Sequence, residues 1–123
     1  MKMLYVIRHA KSSWDSPLQN DFDRPLNERG ERDAPRMGKR LKEKGLVADL
    51  FLSSPAKRAL TTAEKIADIL NYANEKIKTE GDLYHAEDEE ILEIVKHVSD
   101  KHDVVLMFGH NPGLTDFVNR LTD

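Results

Sequence analysis

Apolar residues are arranged along this chain in two ways, as short unbroken runs and as longer stretches with helical spacing. The clearest runs cover residues 4–7 and 104–108, and a polar or functional side chain follows each of them. Unbroken runs of this length are typical of parallel strands that are covered on both faces. The pattern therefore predicts strands at residues 3–7 and 103–108, and shorter runs predict strands at 49–52 and 77–79.

Four stretches place apolar side chains three or four positions apart, which is the spacing of a helix with one buried face. The first is predicted to begin after an Asn27 cap, to run to about residue 44 and to end at Gly45. The second is predicted to open at Ser54 and Pro55, with the serine as the cap and the proline at the first helical position.

The remaining two helices are predicted over residues 88–98 and after Asn111 and Pro112, which cap the last one. One feature interrupts the pattern of the first helix. Pro35 is expected to kink that helix or to restart it, with Asp33 as a second cap, because proline has no N–H to donate.

Strands and helices alternate along the chain, which predicts an α/β class. The expected architecture is a three-layer α/β/α sandwich with a mostly parallel central sheet. A length of 123 residues suits one domain with a real core, so residues 1–123 are expected to form a single domain. Residues 8–24 show neither period, and connections of this length are commonly functional.

Composition excludes several functional classes. The formal net charge is −3, whereas nucleic-acid-binding domains normally carry a strong basic excess, so no nucleic-acid partner is expected. No apolar run approaches the roughly 18 to 20 residues of a membrane span. The chain has no cysteine, which excludes disulfides and thiol catalysis. These features predict a cytoplasmic monomer that does not bind membranes.

Side chains that could bind a ligand or act in catalysis follow three of the predicted strands, at the point where each strand ends. In open parallel sheets the ligand crevice lies beyond the carboxyl ends of the strands, so we expect these side chains to meet there. They are Arg8 and His9 after the first strand, Ser53, Ser54 and Arg58 after the second, and Gly109 and His110 after the last.

These residue types suit phosphate chemistry. A helix N-terminus favours anions, and the guanidinium groups of Arg8 and Arg58 can each bind two phosphoryl oxygens. A neutral imidazole is a competent nucleophile near pH 7, which makes His9 the candidate nucleophile. His110 in its charged form would stabilise the transferring group. Gly109 is expected to let the backbone approach the ligand closely.

A metal site built from His9, His85 and His110 is disfavoured. No two histidines have the helical spacing of a zinc site, and the neighbouring arginines would repel a cation. Phosphoryl transfer depends mainly on positioning and on charge neutralisation. We therefore expect neither a metal nor another cofactor.

Three residues of the region between the first strand and the first helix are open to two interpretations. Ser12 and Ser13 either contact the phosphate or stabilise their loop. Arg24 either contacts the ligand directly or pairs with an acid and pins the loop.

The ordered set of motifs resembles the histidine phosphatase superfamily, and within it the short SixA-type phosphohistidine phosphatases. The resemblance covers essentially the whole chain, and its strength is in the order of the motifs rather than in any one of them. The motifs are Arg8-His9-Ala10-Lys11, Arg24-Pro25-Leu26, Ser53-Ser54-Pro55-Ala56-Lys57-Arg58-Ala59, Thr62-Ala63 and Gly109-His110-Asn111-Pro112-Gly113.

The resemblance implies a phosphoglycerate mutase-like fold and a phosphatase whose nucleophile is His9, with Arg8, Arg58 and His110 completing the phosphate pocket. It also implies a phosphorylated signalling protein, such as a histidine phosphotransfer domain, as substrate and partner. Two alternatives stay open. One is a small-molecule phosphomonoesterase with the same mechanism, and the other is a phosphate-binding module without catalysis.

The chain departs from the family pattern in three places. Ala10 stands where the first motif usually has glycine. Many relatives place a glutamate general acid in the region of residues 83–85, where this chain has His85 as a candidate acid. This departure favours phosphohistidine, whose imidazole leaves with little protonic help. Relatives usually continue past the last helix, so the domain is expected to lack their C-terminal sheet segment.

Overall fold

The computed structural model describes residues 3–9, 21–98 and 100–122. Within these residues there are four strands, namely β1 (Met3–Arg8), β2 (Leu50–Ser53), β3 (Lys78–Thr79) and β4 (Val104–Gly109). Four helices lie between and after them, namely α1 (Glu28–Glu43), α2 (Lys57–Ile69), α3 (Asp88–Lys96) and α4 (Gly113–Thr122). Short 3-10 turns cover Asp21–Asp23, Asn74–Lys76 and Gly81–Leu83.

The strands form one parallel sheet in the order β1-β4-β2-β3. Strand β4 lies between β1 and β2, with Arg8 of β1 opposite Gly109 and Ser53 of β2 opposite Phe108. All the pairs are parallel, so the carboxyl ends of β1, β2 and β4 meet at one edge of the sheet.

Each face of the sheet is covered by its own pair of helices. Helices α1 and α2 cover one face, where the buried side chains are Leu41, Phe51, Ala63, Ile66, Ala67, Leu106 and Phe108. Helices α3 and α4 cover the other, where the buried side chains are Leu52, Leu83, Ile91, Met107, Leu114 and Phe117. Strand β4 contributes to both clusters, as expected for a central strand, and the predicted three-layer α/β/α sandwich is confirmed.

The ends of helix α1 follow the sequence signals. The side-chain oxygen of Asn27 accepts a hydrogen bond from the N–H of Gly30 at 2.9 Å, which satisfies one of the free donors of the first turn. The helix gives way to Gly45 at φ +77°, a conformation that favours glycine. Both predicted ends are confirmed.

Pro35 does not divide helix α1. The helix is continuous from Glu28 to Glu43, so the alternative of a restart capped by Asp33 is wrong. Asp33 instead lies 3.5 Å from the guanidinium of Arg29 and 3.9 Å from that of Arg36. Packing of the buried stripe against α2 outweighs the missing proline donor.

The predicted start of helix α2 is also wrong. The helix begins at Lys57 with Ala56 at its cap, and no side chain of the described residues caps it. Ser54, predicted as the cap, is fully buried two residues upstream, where its hydroxyl accepts a hydrogen bond from the N–H of Ala56 at 3.2 Å. At the last helix, Asn111 accepts from the N–H of Thr115 at 3.1 Å, which confirms its capping role.

Two glycines lie where neighbouring residues leave little room for a side chain. A Cβ at Gly109 would lie 3.3 Å from the side chain of Leu114, so this glycine helps α4 to approach the strand closely. The expected close approach of its backbone to a ligand stays a prediction. A Cβ at Gly113 would lie 2.1 Å from the carbonyl oxygen of Ala86. The first turn of α4 can therefore approach the 84–86 segment only with glycine at this position.

In the part of the chain that the structure describes, every helix is too short or too polar to cross a bilayer.

Replacing Gly113 by Ala is expected to destabilise the fold by about 1–3 kcal/mol, because the new methyl group would overlap the Ala86 carbonyl. Urea-induced unfolding of the wild type and the variant measures this difference. Gly81→Ala is the matched control, since nothing lies within 4 Å of the added Cβ there. Equal loss of stability in both variants would contradict the close approach.

Candidate active site

The register of the sheet brings two histidines together. The N–H of His9, just after β1, donates to the carbonyl of Gly109 at 3.3 Å, and the N–H of Ser54, just after β2, donates to the carbonyl of Phe108 at 2.9 Å. His110 follows β4 directly between them. The rings of His9 and His110 lie with their centroids 5.3 Å apart and their planes inclined by 52°.

His110 is held by a buried hydroxyl. Its Nε2 lies 2.8 Å from the Oγ of Ser54, and Ser54 has no exposed surface. The Nδ1 of His110 is buried and has no hydrogen-bond partner among the described residues. Whichever tautomer is present, Nδ1 is therefore left in the interior without a partner among these residues.

The surroundings of His110 lower its pKa from 6.5 to about 3. Burial contributes most, because it disfavours the charged ring, and the positive charges of Arg58 and His9 act in the same direction. The carboxylate of Asp21 opposes them. The ring is therefore neutral at pH 7 in the ligand-free site, and a charged His110 during phosphoryl transfer stays a prediction.

Arg58 is buried in the first turn of α2, with 4% of its surface exposed. Its Nη1 donates to the backbone carbonyl of Asp21 at 2.6 Å, and its Nη2 lies 3.1 Å from the Oδ2 of the same residue. Its Nε is buried without a hydrogen-bond partner among the described residues. The predicted Arg58 is thus at the site, and its Nε–H is a buried donor without an acceptor among the described residues.

Asp21 and Tyr84 join the site without having been predicted. The Tyr84 hydroxyl donates to the Oδ2 of Asp21 at 2.6 Å, and Arg24 donates to its Oδ1 at 3.1 Å. These contacts and the charge of Arg58 lower the pKa of Asp21 to about 2, with the Tyr84 hydrogen bond contributing most. Asp21 carries no sequence signal of its own, because its partner Arg58 lies 37 positions away.

Arg24 pairs with an acid, as one of its two interpretations expected. The side chain is buried, and its partner is Asp21 rather than the adjacent Asp23. Contact between Arg24 and a ligand stays a prediction. Ser12 and Ser13, the other residues of the predicted substrate loop, lie outside the described residues.

Arg8 lies at the same edge of the sheet, as the last residue of β1 opposite Gly109. It is exposed, and it lines a groove between β1 and α4 together with Asn111 and Thr115. The structure therefore places Arg8 one residue from His9, and its contact with phosphate stays a prediction.

His85 lines the same cavity as His110, of about 430 Å³, at the mouth of the site. Its backbone has φ +60°, and its ring lies on that of Tyr84 with the centroids 3.9 Å apart. The acidic residues Glu87, Asp88 and Asp116 line the rest of the mouth. The role of His85 as a general acid stays a prediction.

A larger cavity, of about 510 Å³, is lined by residues of β2, β3 and α3. It is lined by Leu50, Lys78 and His97 among others, and by none of the residues that follow β1 and β4 at the carboxyl edge. This cavity is the larger of the two, but neither His9, His110 nor the buried Arg58 lines it. We therefore place the candidate active site at His9 and His110.

Residues 3–9, 21–98 and 100–122 contain no group of three or more His, Cys, Asp or Glu side chains arranged to hold a metal ion. The donors that do converge at the site are imidazole and guanidinium groups. Guanidinium groups bind anions and repel cations, so the site suits an oxyanion.

Comparison with known sequences gives a consistent family. The sequence model of the histidine phosphatase superfamily (branch 1) matches residues 4–86. An uncharacterized chloroplastic protein of Arabidopsis thaliana is 29% identical over 129 residues, covering 98% of this chain and 59% of that protein. A 2,3-bisphosphoglycerate-dependent phosphoglycerate mutase of Bifidobacterium longum is 39% identical over 67 residues, covering 53% of this chain and 27% of that enzyme. The chain thus spans less than two thirds of these relatives.

Comparison with solved structures identifies the same family. A SixA protein from Agrobacterium tumefaciens superimposes with a TM-score of 0.88 at 28% identity, covering 97% of this chain and 75% of that one. The protein histidine phosphatase SixA complexed with tungstate has a TM-score of 0.85 at 23% identity, covering 96% and 75%, and shares the fold. The predicted resemblance is confirmed, whereas the predicted cytoplasmic location stays a prediction.

Acidification is expected to destabilise the fold through His110. In the folded protein the pKa of this ring is about 3 instead of 6.5, so between these values the unfolded chain binds a proton that the folded chain does not. Stability is therefore highest above pH 6.5 and declines as the pH falls toward 3. Allowing for partial exposure, the loss between pH 7 and 5 is on the order of 1 kcal/mol.

Thermal and urea unfolding at pH 7 and pH 5 test this expectation. His110→Gln should lose less stability on acidification than the wild type, whereas His97→Gln, at an exposed histidine, should behave like the wild type. Equal losses in the wild type and in His110→Gln would show that another group dominates.

Proposed function

This chain belongs to the histidine phosphatase superfamily, and from that premise we propose that it hydrolyses a phosphoryl group through a covalent phosphohistidine intermediate on His9. One observation carries the proposal. Two histidine rings, 5.3 Å apart, lie at the carboxyl edge of the sheet beside an arginine whose charge is close enough to lower the pKa of His110. This is a nucleophile with a cationic environment for the group it attacks.

The proposed reaction has two displacements at phosphorus. In the first, a ring nitrogen of His9 uses its lone pair to form a bond to phosphorus while the bond to the leaving group breaks, and the leaving group departs with the electron pair. In the second, a water oxygen attacks the same phosphorus, the P–N bond breaks, and inorganic phosphate leaves with His9 restored. Arg8 and Arg58 neutralise the phosphoryl oxygens, and no step uses a metal.

His110 would act as a neutral hydrogen-bond partner that responds to the substrate. Its pKa is lowered to about 3 in the empty site by burial and by the charges of Arg58 and His9. A bound phosphoryl group brings negative charge, which compensates those charges and raises the proton affinity of the ring. The Ser54 hydroxyl at 2.8 Å from Nε2 fixes the orientation of the ring.

The favoured substrate is phosphohistidine in a signalling protein, in the manner of the SixA-type enzymes that the chain resembles. Glu87, Asp88 and Asp116 line the mouth beside His110, and this negative charge disfavours a leaving group that carries carboxylates or a second phosphate. Asp88 is partly compensated by Arg120 at 3.1 Å, whereas Asp116 is exposed. A neutral imidazole leaving group meets no such repulsion and needs little protonation.

A second candidate function keeps the mechanism and changes the substrate to a small phosphate monoester. An alkoxide leaving group needs a proton, and His85 in the cavity wall could supply it. The third alternative, a phosphate-binding module without catalysis, predicts anion binding with no turnover.

The first test is release of phosphate from a histidine-phosphorylated phosphotransfer domain by the wild type and by His9→Ala. We expect release by the wild type and a loss of at least a thousandfold in the variant, because no nucleophile remains. His102→Ala is the matched control, since that histidine is remote from the carboxyl edge of β1 and β4 and should retain full activity. An active His9→Ala variant would refute the mechanism, and an inactive wild type that binds phosphate would favour the binding module.

The second test compares substrates by the charge of their leaving groups. The wild type should process phosphohistidine and p-nitrophenyl phosphate at least tenfold better, in kcat/KM, than phosphoglycerate. Asp116→Lys should raise kcat/KM for phosphoglycerate severalfold by removing a negative charge from the mouth. Glu75→Lys, the same change on the distant turn Asn74–Lys76, should leave it unchanged. Preference of the wild type for phosphoglycerate would favour the monoesterase.

A further inference from the structure

Asp21 holds both of the terminal nitrogens of Arg58. Nη1 of the arginine donates to the Asp21 backbone carbonyl at 2.6 Å, and Nη2 donates to its Oδ2 at 3.1 Å. Two bonds from one residue to one guanidinium fix the plane of that group as well as its position. The arginine side chain is 5% exposed, so its interior contacts, rather than solvent, determine how it is oriented.

The Asp21 carboxylate is itself held from two other directions. Arg24 donates to Oδ1 at 3.1 Å, and the Tyr84 hydroxyl donates to Oδ2 at 2.6 Å. Both carboxylate oxygens therefore have donors, and these contacts lower the pKa of the carboxyl group to about 2, so that it stays ionised even in mildly acidic solution. An ionised, fully engaged carboxylate is a rigid support for the guanidinium.

Tyr84 extends this network to the histidines. Its ring lies with its centroid 5.7 Å from that of His110, edge to face, while Phe22 packs against it at 5.2 Å in a T-shaped arrangement. The hydroxyl bond to Asp21 fixes the end of the ring remote from its backbone. One carboxylate thus determines the orientation of two groups at the site, the guanidinium of Arg58 and the aromatic neighbour of His110.

We propose that Asp21 is the positioning residue of the phosphate pocket, which orients Arg58 and Tyr84 for the transition state of phosphoryl transfer without touching the phosphoryl group. The inference rests on the proposed function. Asp21 acts through two other side chains. Its removal therefore mainly changes the orientation of Arg58 and Tyr84, rather than removing an attraction for the phosphoryl group. Asp21 also places a negative charge beside an anion site, which by itself weakens the binding of any anion.

Orientation of Arg58 by Asp21 strengthens binding of the transition state, whereas the negative charge of Asp21 weakens binding of any anion. This difference in sign distinguishes a positioning role from a merely structural one. Without the Asp21 charge, ground-state attraction for a phosphate dianion is equal or stronger. Without the fixed guanidinium plane, stabilisation of the five-coordinate transition state is weaker, because that stabilisation depends on donors aimed at its equatorial oxygens. Loss of the fold around the site would instead weaken ground-state and transition-state binding together.

The test is Asp21→Asn, which keeps the size of the side chain and removes its charge. Inorganic phosphate and orthovanadate are the probes, the second as a mimic of five-coordinate phosphorus, and their affinities are measured by calorimetry alongside kcat and KM on phosphohistidine. We expect phosphate affinity equal to or above that of the wild type, vanadate affinity at least tenfold lower, and kcat ten- to a hundredfold lower with KM changed less than threefold.

Asp23→Asn is the matched control, because Asp23 is an exposed acid on the same turn, Asp21–Asp23, and it should match the wild type in every measurement. Tyr84→Phe removes only the hydroxyl that donates to Asp21 at 2.6 Å. We expect this variant to keep the phosphate affinity of the wild type and to lose about two- to fivefold in vanadate affinity and in kcat. It also provides the test if Asp21→Asn does not fold, as judged by circular dichroism.

A kcat for Asp21→Asn within twofold of the wild type would overturn the inference, and so would phosphate and vanadate affinities that fall by the same factor. An unfolded Asp21→Asn together with an unaffected Tyr84→Phe would also overturn it. If the wild type turns over no substrate but binds both anions, the proposed function fails, and the ratio of the two affinities still decides the role of Asp21. If the wild type binds neither anion, both fail.

Discussion

The parallel pairing of β1 and β2 to the central strand β4 is the constraint on which the site depends. Because Arg8 lies opposite Gly109 and Ser53 lies opposite Phe108, the residues that follow each strand emerge at one edge. His110 then lies within ring-contact distance of His9 and within hydrogen-bond distance of Ser54. A slip of the register by one residue would send each of them to the opposite face of the sheet. The two buried clusters that hold this register are therefore as much part of the site as the histidines.

Burial of positive charge is the second feature that shapes the site. Arg58 is almost fully buried, and an isolated guanidinium in such a position would be strongly unfavourable. Asp21 compensates it through two bonds and is compensated in turn by Arg24. The pKa of His110 is far below its usual value, first because the ring is buried and then because the charges of Arg58 and His9 are near. A pocket of this kind is arranged to receive negative charge, because an incoming oxyanion completes a set of interactions that the protein leaves partly unmet.

Errors of prediction in this chain share one cause. Ser54 and Pro55 form a good local signal for a helix start, yet the serine hydroxyl lies beside His110 and the helix begins at Lys57. Pro35 disfavours a continuous helix locally, and α1 continues through it because its buried face packs on α2. In each case a contact formed in three dimensions outweighed the local preference.

The sequence by itself determined the element order, the three-layer architecture, the family and the strand-end residues His9, Arg58 and His110, because period and position along a strand are local properties of the chain. Only the tertiary structure decided that Asp21 and Tyr84 belong to the site, since the first meets Arg58 from 37 positions away and the second meets Asp21 from 63 positions away. It also decided that His110 is neutral when the site is empty, because burial and the nearness of other charges are properties of the folded arrangement. Partners distant in sequence leave no periodic signal, and such partners determine the electrostatics of this site.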